Sequence, residues 1–139
     1  MLNNVTQSHG VKIIEPVNLY GCTLGTDVFV GPFVEIQNDV IIGDRTRVQS
    51  HSFICSCVSI GSDCFIGHGV MFTNDKFIDR KLSKDFLSTK LGNKVYVGSN
   101  ATILPVNICD DVVIGAGAVV TKDITEPGTY IGNPARKLK

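Results

Sequence analysis

TLGTDVFVGPFVEIQNDVIIGDRTRVQSHSFICSCVSIGSDCFIGHGVMFT, residues 23–73, repeats every six residues. Leu24, Val30, Ile36, Ile42, Val48, Ile54, Ile60, Ile66 and Phe72 fall on one ladder. Four residues after each of the first eight stand Val28, Val34, Val40, Thr46, Ser52, Val58, Cys64 and Val70, all small or β-branched. Glycine follows the ladder residue at Gly25, Gly31, Gly43, Gly61 and Gly67. A helix needs a period of about 3.6 and an ordinary strand a period of about 2, so neither accounts for this spacing. A six-residue period with glycine after the aliphatic position predicts an all-β chain wound as a parallel β-helix of hexapeptides. A β-sandwich would need longer strands and irregular turns.

The ladder extends outward from this stretch. Ile13 and Leu19 precede it, with Val17 and Thr23 as their partners four residues on, and one residue is missing between Leu19 and Leu24. Residues 1–12 show no clear period and are expected to cap the stack. After Phe72 the period breaks, then resumes at Val97, Ile103, Ile108, Ile114 and Val120, with partners Ala101, Asn107, Val112, Ala118 and Ile124. The spacing predicts about five coils in one domain over residues 1–139, with a protruding loop at 73–94 and a C-terminal cap at 125–139. Repeat units bury a core only between neighbours, so a short stack is expected to associate.

Composition bounds the function. Thirteen basic residues balance 13 acidic ones, which argues against generic polyanion binding. No apolar run reaches the length of a membrane-spanning helix, and the start MLNNVTQSHG lacks the basic and apolar regions of a signal peptide. A cytoplasmic protein is expected. Five cysteines form no C-x-x-C pair and no zinc spacing. Cys64 sits on an inward position, while Cys55 and Cys57 flank a turn.

Chemistry should lie where residues break the repeat. His51 and His68, 17 residues apart, fall in turns on adjacent coils and should point outward. An outward histidine is suited to general-base work, and equally is an ordinary surface residue. His9 lies in the expected cap. Asn74 and Asp75 stand where the loop departs. An amide there can hold an amine or stabilise an oxyanion, although Asn-Asp also simply begins loops. The loop carries Lys76, Arg80, Lys81, Lys84 and Lys90 against Asp75, Asp79 and Asp85, and Phe77, Phe86 and Leu87 give it apolar surface to pack. A short helix is expected over Leu82 to Leu87.

The segments VFVGPFVEIQ, SHSFIC, FIGHGVMFTND, VGSNATILP, IGAGAVVTKD and GNPAR resemble the left-handed β-helix acyltransferase family over nearly the whole chain. FTND followed by a loop and NATILP is similar to the bacterial nucleotide-sugar N-acetyltransferases that acylate aminosugars for surface polysaccharides. The resemblance implies a left-handed helix, acetyl-CoA as cosubstrate, no metal, and a homotrimer with active sites between subunits. It favours Asn74, with His51 and His68, as catalytic residues, and places Asp75, Lys76 and Arg80 on the sugar nucleotide. It further implies that Ser99, Ala101, Ala116 and Ala118 contact acetyl-CoA, with Lys122, Arg136 and Lys137 near its phosphates. This chain departs from the family in Lys76-Phe77-Ile78-Asp79-Arg80 after FTND, and in Ser56-Cys57 where relatives often carry an acid.

Three other readings compete with N-acetylation. O-acetylation of a sugar or serine hydroxyl needs a base held by a carboxylate, and no Asp or Glu pairs obviously with either histidine. A zinc carbonic anhydrase needs three converging histidines, and the chain has three in all. A non-catalytic assembly subunit would have no use for the FTND loop or the basic terminus.

Overall fold

Inward side chains alternate with outward ones along a strand, and the six-residue period turns that alternation into a stack of coils. The computed structural model describes residues 1–80 and 85–139, Arg80 by its backbone alone. Three parallel sheets form the faces of a prism. Face A comprises Leu2–Asn3, Asn18–Tyr20, Glu35–Ile36, Phe53–Ile54, Met71–Phe72, Thr102–Ile103 and Val119–Val120. Face B comprises Thr6–Gln7, Thr23–Leu24, Ile41–Ile42, Val58–Ile60, Thr89–Leu91 and Asn107–Ile108. Face C runs Lys12–Ile13, Phe29–Val30, Arg47–Val48, Phe65–Ile66, Tyr96–Val97, Val112–Ile114 and Gly128–Ile131, where Arg136–Lys137 folds back antiparallel and closes the stack.

The ladder residues form the core. Leu24, Val30, Ile36, Ile42, Val48, Ile54, Ile60, Ile66 and Phe72 are all buried, as are their small partners. Thr46 and Ser52 are tolerated inside because each hydroxyl donates to a carbonyl of the next coil, Gly61 O at 2.7 Å and Gly67 O at 2.7 Å. Glycine after the ladder residue reflects coil stacking. A Cβ on Gly43 would sit 2.5 Å from the Gly61 carbonyl carbon, so any side chain there would force adjacent coils apart. At the corner between faces B and C the coils are laced together. Asp44 accepts from Thr26 N, Ser62 from Asp44 N, Asn93 from Ser62 N and Asp110 from Asn93 N.

Several expectations are corrected. The stack has about seven coils rather than five, face A alone holding seven strands. Residues 1–12 are not a separate cap. They form a coil in register, with Leu2 beside Leu19, Thr6 beside Thr23 and Lys12 beside Phe29. Leu2, Gln7 and Ile13 stand in register with the ladder residues Leu19, Leu24 and Val30, and only Gln7 is polar. Leu91, fully buried beside Ile60, brings the chain back to the ladder one step before Val97. The excursion therefore occupies the residues between Phe72 and Thr89, shorter than the 73–94 expected. At the two slips the inward partner moves back by one, so Cys22 and Val106 are buried while Thr23 and Asn107 face out. Ile78–Arg80 forms a single 3-10 turn. Of the helix expected over Leu82 to Leu87, positions 82–84 lie outside the described residues, and Asp85, Phe86 and Leu87 have no regular structure.

Candidate active site

Gln37, Cys55, Thr73, Leu104 and Thr121 each follow a face A ladder residue, so stacking aligns them in one column along the corner between faces A and B. The excursion leaves from this corner. Phe77 and Phe86, carried by the excursion, join Phe53, Phe72 and the column to wall a cavity of about 630 Å³. Asn74, Asp75 and Lys76 lie on its rim. The cavity is thus aromatic, with a few polar groups where the chain departs, the usual character of a small-molecule site.

Asn74 is held from two sides. Its backbone carbonyl accepts from Leu87 N at 2.9 Å, which ties the returning limb of the excursion to its start. Its side-chain Nδ2 donates to Ser56 O at 3.1 Å and to Ser56 Oγ at 3.0 Å, one coil below. The amide nitrogen is thus turned to Ser56. What Asn74 offers a ligand is its carbonyl oxygen, an acceptor, so an oxyanion-stabilising role does not fit this geometry. Asp75 Oδ1 accepts from Phe77 N at 2.8 Å and closes the turn that swings Phe77 toward the cavity. Lys76 is exposed at the rim, and the Arg80 side chain lies outside the described residues.

Cys55 lies on the cavity wall, buried. Burial pushes its thiol up to about 11. The protonated thiol is a poor nucleophile near neutral pH, so a covalent acyl-cysteine step does not suit it. Gln37, Leu104 and Thr121 go unremarked in the sequence, where Cys55 stands out only as a thiol beside a turn. Their signal was available, since each follows a ladder residue of the same face as Phe72.

The histidines lie elsewhere. His51 and His68 precede face A strands, and Asn74 follows one, so they occupy opposite ends of that face within the chain. Neither lines the cavity. His51 is in a left-handed turn, its N–H donating to Pro32 O and its ring tilted by 34° against Phe33 with centroids 5.0 Å apart. His68 is exposed on the coil above, and its carbonyl accepts from Asn100 N. Among the described residues neither histidine is hydrogen-bonded to a carboxylate, and no cluster of three metal-binding side chains occurs.

The C-terminal candidates divide. Ala101 and Ala118 are fully buried core residues whose carbonyls accept from Met71 N and Thr102 N. They have nothing left for a ligand, because the ladder's partner position points inward. Ser99 and Ala116 sit in the outward turns of the same coils. Lys122, Arg136 and Lys137, by contrast, are brought together around a groove of about 280 Å³, with Tyr130 and Thr121. Lys137 Nζ also meets Glu126 at 3.2 Å. Thr121 lines both this groove and the aromatic cavity.

Comparison with known proteins places these features in context. The model "Bacterial transferase hexapeptide (six repeats)" matches residues 21–56, and "Hexapeptide repeat of succinyl-transferase" matches residues 89–122. The bifunctional protein GlmU of Streptococcus uberis is 32% identical over 120 residues, which cover 86% of this chain and 24% of that protein. The chain spans about a quarter to a third of the length of such curated relatives. A GDP-perosamine N-acetyltransferase variant from Caulobacter crescentus, solved with CoA and GDP-perosamine, superposes with a TM-score of 0.72 at 22% identity. That match covers 97% of this chain and 57% of the other. A hexapeptide transferase family protein from Anaplasma phagocytophilum gives a TM-score of 0.82 at 16% identity, covering 99% and 81%. At these identities the superpositions show a shared fold.

Proposed function

We propose that this chain, which belongs to the hexapeptide-repeat transferases, is an acetyl-CoA-dependent N-acetyltransferase acting on the amino group of a nucleotide-linked aminosugar. The observation that carries the reading is the shared wall at Thr121. It lines both the groove that holds Lys122, Arg136 and Lys137 and the aromatic cavity that holds Asn74. Thr121 lies two coils above the departure point of the excursion, about 10 Å at the usual spacing of strands. An extended pantetheine arm spans that distance, so phosphates at the groove leave the thioester beside Asn74. These residues fit acetyl-CoA, which when bound supplies the activated acetyl group.

Asn74 Oδ1 then accepts an N–H of the substrate amine and turns the nitrogen lone pair toward the thioester carbon. Positioning of this kind is worth several kcal/mol when the reacting atoms are aligned. Phe77 and Phe86 give the cavity an apolar wall, and Lys76 at the rim faces the diphosphate of the nucleotide. A neutral amine needs no strong base. That favours N- over O-acetylation here, since neither histidine is held by a carboxylate.

A homotrimer fits this reading, because a histidine at the far end of face A can reach Asn74 only from a second copy. Sedimentation at micromolar concentration should show a species three times the 15.0 kDa chain mass. A 15.0 kDa species alone would remove the intersubunit site. We place the activity in the cytoplasm, in surface polysaccharide synthesis.

The direct test is incubation with acetyl-CoA and a panel of UDP-, GDP- and dTDP-linked amino and hydroxy sugars, read by mass spectrometry. A mass gain on an aminosugar supports the proposal, and a gain only on hydroxy sugars replaces it with O-acetylation. CoA placement has its own check. Replacing Arg136 and Lys137 together with alanine should raise the Michaelis constant for acetyl-CoA about tenfold, the scale of losing a charge-assisted hydrogen bond. The constant for the sugar should hardly move. The opposite pattern would put the cofactor elsewhere.

A further inference from the structure

A line of hydrogen bonds runs across three coils beneath the candidate site. Asn18 Nδ2 donates to Glu35 Oε1 at 3.0 Å, and Gln37 Nε2 donates to Glu35 Oε2 at 3.1 Å. Gln37 Oε1 accepts from Ser56 N at 3.2 Å, and Ser56 O and Oγ accept from Asn74 Nδ2. The ends of this line leave each amide one orientation. A carboxylate only accepts, so Gln37 must turn Nε2 to Glu35, and its Oε1 is then the group that meets Ser56 N–H. A backbone carbonyl only accepts as well, so Asn74 must turn Nδ2 to Ser56 and present Oδ1 to the cavity. Ser56 is buried, while Asn18, Glu35, Gln37 and Asn74 are half-buried.

We propose that Gln37 is a positioning residue for acyl transfer. Held by Glu35, it fixes the Ser56 backbone and through it the Asn74 amide, so that Asn74 meets the amine by its carbonyl oxygen alone. The proposal rests on the reading of Asn74 as the acceptor-binding group. Gln37 itself lines the cavity, so the competing role is direct contact with substrate. Coupled residues in one network show interaction energies corresponding to factors of about 2 to 150, and a change of about tenfold is expected here.

The test compares Gln37→Met, which keeps side-chain length and removes both hydrogen bonds, with the exchanged pair Glu35→Gln/Gln37→Glu. In the exchanged pair residue 35 can accept from Asn18 and donate to residue 37, and residue 37 can still accept from Ser56 N. Every bond of the line is rebuilt with the charge moved. Two readouts are taken. One is hydrogen exchange of the Asn74 side-chain amide by NMR, identified by its absence in Asn74→Ala. The other is kcat and KM with acetyl-CoA and the fastest aminosugar nucleotide of the panel. Gln37→Met should speed Asn74 amide exchange about tenfold and lower kcat about tenfold, with KM for acetyl-CoA unchanged. The exchanged pair should restore both, and in an Asn74→Ala background Gln37→Met should cost nothing further. Unchanged amide exchange in Gln37→Met overturns the proposal. So does a kcat loss that persists in the Asn74→Ala background or in the exchanged pair, since either means direct contact. If the wild type acetylates no member of the panel, the proposed function fails, while the amide-exchange arm still decides whether the line orients Asn74.

Discussion

Asn74→Ala should lower turnover about 100-fold at every pH, the scale of losing one well-placed positioning contact. The acetyl-CoA Michaelis constant should change little, because Asn74 is two coils from the basic groove. Asn74→Asp should be as poor as alanine although it has nearly the same shape. An ionised carboxylate cannot donate to Ser56 O, so the side chain would be repelled from the carbonyl that now orients it. His51→Ala and His68→Ala should lose less and recover as pH rises, because solvent can then take the proton of the amine. The comparison is a pH–rate profile for the four variants. A histidine variant that stays inactive at high pH, alongside an active Asn74→Ala, would make a histidine the central catalyst.

Ile60→Ala should destabilise the fold by about 3 kcal/mol, within the range of roughly 2–5 for truncating a buried aliphatic side chain. Ile60 is 1% exposed, in register between Ile42 below and Leu91 above. A stack has no other contacts to compensate, since each coil touches only its neighbours. Ile13→Ala, on the half-buried end row, should cost under about 1 kcal/mol by comparison. Urea unfolding at one fixed protein concentration checks this, because subunit association shifts apparent stability. Equal losses at the two positions would mean that assembly, rather than coil stacking, sets the stability.

The repeat was legible because it is local. Side-chain alternation and a turn every six residues decide which residues of 23–73 face inward, and no distant contact is needed. The same locality explains what was misread. Residues 1–12 hid their coil because Gln7, in register with Leu24, puts a polar residue on the ladder. The slips near Leu19 and Ile103 hid Cys22 and Val106, since losing a turn residue shifts the inward partner by one. Ala101 and Ala118 looked available as small residues, but their phase in the repeat points them into the core.

By itself the sequence determined the hexapeptide coils, the core and the place where the chain leaves the stack at Asn74. Only the tertiary structure decided which atom of Asn74 faces a ligand. That depends on Ser56, eighteen residues earlier, and on Gln37, nineteen residues before that, brought beneath it by coil stacking. It also decided that Lys122, Arg136 and Lys137 share a groove that has Thr121 in common with the aromatic cavity. The physical reason is that the repeat sets the direction of each side chain, whereas a site is made from what the stack places one or two coils away.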